Sequence, residues 1–195
     1  DDPLTQTASG FICQGKNSGA IRQLASFYNQ NVVKEESWNT IKRDLNQRMP
    51  IYKASFQKTA EKYDLDWHLL AAIGYQESYL KPNSISPTGV RGLMMLTNNT
   101  AKAMGVSNRN DPVQSIQGGA KYYDLMLSRY QHIPFPDRNW YALVAYNMGP
   151  GAVNQIQKRI KAQGKNPNNW VNFYAYLDRN KASNGRYRQA VQYVT

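Results

Sequence analysis

DWHLLAAIGYQESYLKPNSISPTGVRGLMMLT, residues 66–97, is the stretch whose reading decides the fold. Asp66 is a natural N-cap, and the residues from Trp67 to Leu80 hold no proline and one glycine, so a helix is expected there. Leu70, Ile73, Glu77 and Leu80 follow at spacings of three, four and three, which stacks them on one helical face. A carboxylate therefore falls on the stripe that should be apolar. Burial disfavours its charged form and should move its pKa up by about one to two pH units. A glutamic acid still protonated near neutrality suits a general acid. Escape of Glu77 to solvent, or pairing with Arg91, is the structural alternative.

The helix should stop at Lys81-Pro82, because the residue before a proline is pushed out of the α region. Turn formers follow: Asn83, Ser84, Ser86, Pro87, Thr88, Gly89 and Gly92. The apolar segment Leu93 to Leu96 then leads to Thr97, a cap for another helix. A polar, glycine-bearing loop should thus fold back beside the glutamate, bringing hydroxyls to the lip of a cleft.

Glu77-Ser78, Pro82, Ser86-Pro87-Thr88-Gly89, Gly92-Leu93-Met94 and the later Ala145-Tyr146-Asn147-Met148-Gly149 form an ordered set of motifs. In these the chain resembles the soluble-type lytic murein transglycosylases, the goose-lysozyme-like branch of the lysozyme superfamily. Its loop wording is nearest the F-type, membrane-bound members. The resemblance is good over residues 51–151 and loose elsewhere. It implies an all-α, lysozyme-like domain over residues 50–195, with residues 1–49 as an N-terminal tail and helical extension. The substrate-binding-protein-like domain that precedes the catalytic part in F-type members has no counterpart in those 49 residues.

The chain has 195 residues, a formal net charge of +11, and a single cysteine, Cys13. One cysteine excludes an internal disulfide framework. The charge calls for anionic partners. The basic residues are spread from Arg22 to Arg188 without a nucleic-acid motif, so a cell-wall polymer with peptide carboxylates fits as well as a nucleic acid. No apolar run is long enough to span a bilayer. No signal peptide is visible, so an exported protein would be represented by a processed chain.

Elsewhere the periodicity is helical throughout. Residues 1–19 look like a loosely docked tail, and residues 20–49 carry helix-like spacing through Ile21, Leu24, Trp38, Ile41 and Leu45. Pro50 should start a helix ending near Tyr63. Asn110 or Asp111 should cap a long helix whose buried face is Ile116, Ala120, Tyr123, Leu127 and Tyr130, with Gly118-Gly119 admitting another helix. Helices are expected over residues 139–147, from Val153 toward Gly164, around Trp170 to Leu177, and from Tyr187 to Val194. No alternating strand is evident, and the helices should gather around the one that carries Glu77.

Most glycosidases use two carboxylates. Of the acids after Glu77, Asp111 reads as a cap, Asp124 is offset from its apolar face, and Asp137 lies in a proline-rich loop. What the resemblance implies is one-acid chemistry. Glu77 would protonate the oxygen leaving N-acetylmuramic acid, the acetamido oxygen would stabilise C1, and Glu77 would then take the proton of the C6 hydroxyl as a 1,6-anhydro ring closes. No metal or cofactor is implied. By position, Ser86 would bond the acetamido group, Thr88 would add a hydroxyl, Tyr146 would face the glutamate, and Asn147 would shape the adjoining wall. Met94 and Met95 would line the sugar site, Met95 where many relatives carry glutamine. Tyr75, Tyr79 and Trp140 are further groove candidates. Near the C-terminus, where relatives show Glu-Thr and then Tyr-Val, Arg186-Tyr187 and Ala190-Val191 stand in the corresponding places.

The expected activity is that of an envelope enzyme, monomeric, acting on peptidoglycan in the periplasm and open to association with the outer membrane or an envelope complex. Its competitors are a hydrolytic muramidase of the same fold, a basic peptidoglycan-binding scaffold, and a nucleic-acid binder.

Overall fold

The computed structural model describes residues 35–195, and the expectations for the tail, Cys13 and the first part of the extension fall outside them. Eight helices lie among the described residues: α1 Glu35–Lys62, α2 Trp67–Ser78, α3 Asn98–Ala103, α4 Pro112–Arg129, α5 Asp137–Met148, α6 Pro150–Ala162, α7 Trp170–Asn180 and α8 Gly185–Val194. Extended structure there is limited to two isolated bridges, Ile85 with Arg91 and Arg91 with Leu96. Ile51–Val194 forms one compact unit.

The helices gather around α5, not around the glutamate helix as expected. α4, α6, α7 and α8 all pack on it. The reason is in its sequence: Tyr141 to Tyr146 is an unbroken buried run, so α5 has no polar face to turn to water. Gly149, in a left-handed backbone, and Pro150 at the first position of α6 separate two helices that would otherwise fuse.

Three local expectations also change. Pro50 does not start a helix; α1 runs through it, and the proline removes only one backbone donor from that helix. α2 ends at Ser78, two residues before Leu80, because Tyr79 and Leu80 both take left-handed conformations (φ 55° and 58°). Leu80 is 1 % exposed, so its burial offsets the strain of that turn. Finally, what closes on Gly118 and Gly119 is a loop rather than a helix. A Cβ at Gly118 would sit 2.4 Å from Val106, and one at Gly119 would sit 2.8 Å from Met94.

The caps fall where the side chains suggest. Asp66 accepts from the His68 amide, Thr97 from Thr100, and Asp111 from Gln114. No described helix is long and apolar enough to cross a membrane.

Candidate active site

Glu77 sits on the last turn of α2, half-buried, and forms no ion pair with Arg91 or any other described cation. Burial pushes its carboxyl up to about 8, further than the sequence suggested, against a smaller lowering influence from the Tyr193 hydroxyl. At pH 7 such a group is held mainly in its protonated form.

Two phenols stand beside it. Tyr146, on α5, is buried and close enough to Glu77 for a carboxylate there to oppose ionisation of the phenol. Its hydroxyl, however, donates to the Met94 carbonyl at 2.8 Å. Tyr193, on α8, also reaches the Glu77 carboxyl. Its buried hydroxyl completes no full hydrogen bond among the described residues. Gln76, next to Glu77, ties the two helices together by donating to the carbonyls of Gln192 and Tyr193 at 3.0 and 3.3 Å. Tyr122 on α4 packs its ring 5.3 Å from that of Tyr146.

The loop from Tyr79 to Thr97 is fixed to the helices by buried hydroxyls. Ser78 donates to the Leu93 carbonyl at 2.7 Å, Ser115 accepts from the Met94 amide at 3.0 Å, and Tyr146 holds the Met94 carbonyl. Arg109 spans the loop by donating to the carbonyls of Gly89 and Leu96, both at 3.0 Å. At the tip, Ser86-Pro87-Thr88-Gly89 is a β-turn closed by the Gly89 amide on the Ser86 carbonyl.

The turn fixes the direction of its hydroxyl bonds. The Ser86 oxygen accepts from the amides of Thr88 (3.2 Å) and Val90 (3.1 Å), which uses both of its lone pairs. In the 2.9 Å contact between the two hydroxyls Ser86 must therefore be the donor, and the proton of the exposed Thr88 hydroxyl is left to point outward.

Among the sequence candidates, Glu77, Tyr146 and the backbone of Met94 come together. Ser86 and Thr88 form one turn, and Asn147 is half-buried at the end of α5, its side chain bonded to no described residue. Met94 is corrected. Its side chain is 0 % exposed and packed on Gly119, so it offers a sugar no surface and acts through its backbone. Met95 is half-buried with a left-handed backbone (φ 50°). Trp140 stacks on Trp170 at 5.8 Å as part of the α5–α7 packing. Tyr79 is 58 % exposed, with its ring edge-on to that of Tyr75. Tyr193, Tyr122 and Ser115 were not foreseen; the Tyr193-Val194 pair was legible as the C-terminal Tyr-Val, three residues beyond Ala190-Val191.

Three of the four later acids have other partners: Asp111 caps α4, Asp137 accepts from the Trp170 amide at 3.2 Å, and Asp178 pairs with Lys181. Among the described residues no three His, Cys, Asp or Glu side chains gather to hold a metal ion. The arrangement is thus a single acid with a raised pKa beside two phenols, one of which is bonded to the backbone of the hydroxyl-bearing loop.

The chain is 45% identical over 182 residues to membrane-bound lytic murein transglycosylase F of Stutzerimonas stutzeri and 41% identical over 180 residues to that of Marinobacter nauticus. These alignments cover 92% and 91% of this chain but 37% and 36% of the relatives, so the chain spans little more than a third of their length. Among solved structures, an inactive Glu-to-Gln variant of the lytic transglycosylase Slt from Pseudomonas aeruginosa has a similar fold. Its TM-score is 0.58 at 24% identity, over 77% of this chain and 24% of that one. The model of the transglycosylase SLT domain matches residues 54–169, more than half of the sequence, and the chain belongs to that family.

Proposed function

We propose that this chain is a peptidoglycan lytic transglycosylase that cuts the N-acetylmuramic acid–β-1,4–N-acetylglucosamine bond without water. The observation that carries the proposal is the Glu77 carboxyl, held neutral at physiological pH with no cation beside it. In the first step its proton passes to the glycosidic oxygen, the C1–O bond breaks, and the acetamido oxygen of the muramic residue stabilises C1. In the second step the Glu77 carboxylate takes the proton of the C6 hydroxyl, and that oxygen bonds to C1. One carboxyl serves as acid and then base, and the intramolecular nucleophile has a large effective concentration over water.

Tyr193 fits the second step. Its hydroxyl lies against Glu77 and favours the charged carboxylate over the neutral acid, which is stabilisation that grows at the stage that needs it. In this reading the outward Thr88 hydroxyl serves the acetamido group with Ser86 holding it in place, Met95 packs under the sugar, and Asn147 completes the wall. The catalytic domain is residues 50–195, with residues 1–49 an extension. The protein acts in the periplasm, as a monomer on glycan strands and not on nucleic acid. Peripheral attachment to the membrane is supported by relatives described as membrane-bound.

The test is digestion of purified murein by the wild type and by Glu77→Gln, with product masses. Anhydromuropeptides from the wild type alone are expected. Products heavier by one water would make the protein a muramidase, and equal products from both proteins would remove Glu77 from the chemistry.

A further inference from the structure

The chain's charge is unevenly distributed. Between residues 150 and 195 there are eight lysines and arginines against one acid, Asp178, so this quarter of the sequence holds +7 of the net +11. All eight are exposed, and the single acid is paired with Lys181. They lie on α6, α7 and α8 and the segments joining them, and these helices are bound to one another. Arg159 of α6 donates to the hydroxyls of Tyr176 on α7 and Tyr187 on α8, at 3.2 and 3.3 Å. Arg179 stands one turn beyond Tyr176, and Arg186 and Arg188 lie on the first turns of α8 beside Tyr187, donating to the carbonyls of Met148 and Ala182.

This basic face is continuous with the cleft. Arg186 donates to the carbonyl of Met148, the residue after Asn147, and α8 carries Tyr193 to Glu77. We propose that the α6–α8 face is a subsite for the carboxylates of the peptides borne by a glycan strand lying in the cleft, so that the protein favours peptide-bearing over denuded murein. The inference rests on the reading of the cleft as a peptidoglycan site. Arginine forks match carboxylates, and a single-signed field raises the local concentration of a polyanionic strand. An anionic lipid surface is the other polyanion available. Yet the only large apolar side chain exposed on residues 150–195 is Val171, so the face has almost nothing to insert into a bilayer.

The test is cosedimentation of the full chain, in a Glu77→Gln background that leaves the polymer uncut, with murein sacculi before and after enzymatic removal of the peptides. The double change Arg179→Gln/Arg188→Gln alters two exposed side chains, of which Arg188 also donates to the Ala182 carbonyl at 3.3 Å. It should lower the preference for peptide-bearing over peptide-free sacculi about threefold or more, as two exposed charge contacts can. Arg179→Glu/Arg188→Glu should lower it further, and added salt should erode the wild-type preference. An unchanged ratio in both variants would overturn the inference. So would sedimentation with phosphatidylglycerol vesicles that is lost in the variants while the murein ratio holds, because the face would then belong to lipid. Anhydro products from the wild type with no peptide preference would sink this inference and leave the cleavage reading standing. No anhydro products, with the preference intact, would do the reverse.

Discussion

The α5 and α8 walls of the site present the same side chain to Glu77 and use it differently. On α5 the Tyr146 hydroxyl is committed to a backbone carbonyl, so the ring is a strut between the buried centre of the fold and the hydroxyl loop. On α8 the Tyr193 hydroxyl is not tied to the backbone and interacts with the carboxyl, so it can answer a change of charge. Two residues of one type beside one acid therefore divide the work: one fixes distance and the other tunes protonation.

The largest effect should come from removing what both walls serve. Glu77→Gln should lower the rate of anhydro-product formation by about a thousandfold or more, since acid and base roles vanish together. Next is the strut. Tyr146→Phe leaves the Met94 carbonyl buried without its donor, which should cost about 1–3 kcal/mol in urea denaturation. Because the loop shifts as well, kcat should fall about tenfold. Ser115→Ala, which frees the Met94 amide on the opposite side, should reproduce both losses in milder form. If Tyr146→Phe instead moved the pH profile and spared stability, the division of labour would be wrong.

Tyr193→Phe should act the other way, with little change in stability. Its hydroxyl lowers the Glu77 pKa, so its removal should shift the basic limb of the rate profile from near 8 to higher pH while the maximal rate drops a few-fold. The smallest effect concerns stability alone. A carboxyl whose folded pKa is raised from 4.5 to about 8 binds more protons folded than unfolded between those values. Wild-type stability should therefore decline as pH rises through that window, whereas Glu77→Gln should not share the decline. Half-burial keeps the difference at pH 8 to about 2 kcal/mol, below what the full shift implies.

How far the sequence went is clear from particular residues. Glu77 was visible because an acid on an apolar stripe violates a local rule, and the caps at Asp66, Thr97 and Asp111 were visible because they involve neighbours in sequence. The turn at Ser86 to Gly89 announced itself through proline and glycine. What escaped was set by contacts across the chain. The role of Tyr193 depends on α8 folding over α2, 116 residues away. That of Ser115 depends on an amide 21 positions earlier. The early end of α2 at Ser78 depends on where Leu80 can be buried, which no periodicity records. Likewise the central position of α5 follows from what packs on each side of it, though its apolar run hinted at complete burial.

Gly92 carries a practical consequence. Its backbone is left-handed (φ 91°), and a Cβ there would lie 1.9 Å from the Arg109 carbonyl. Anyone diversifying this loop to alter which glycans it accepts should vary Thr88, keep β-branched residues away from the left-handed position 95, and leave position 92 alone, since even alanine there would push the loop away from Arg109 and carry the hydroxyl turn with it.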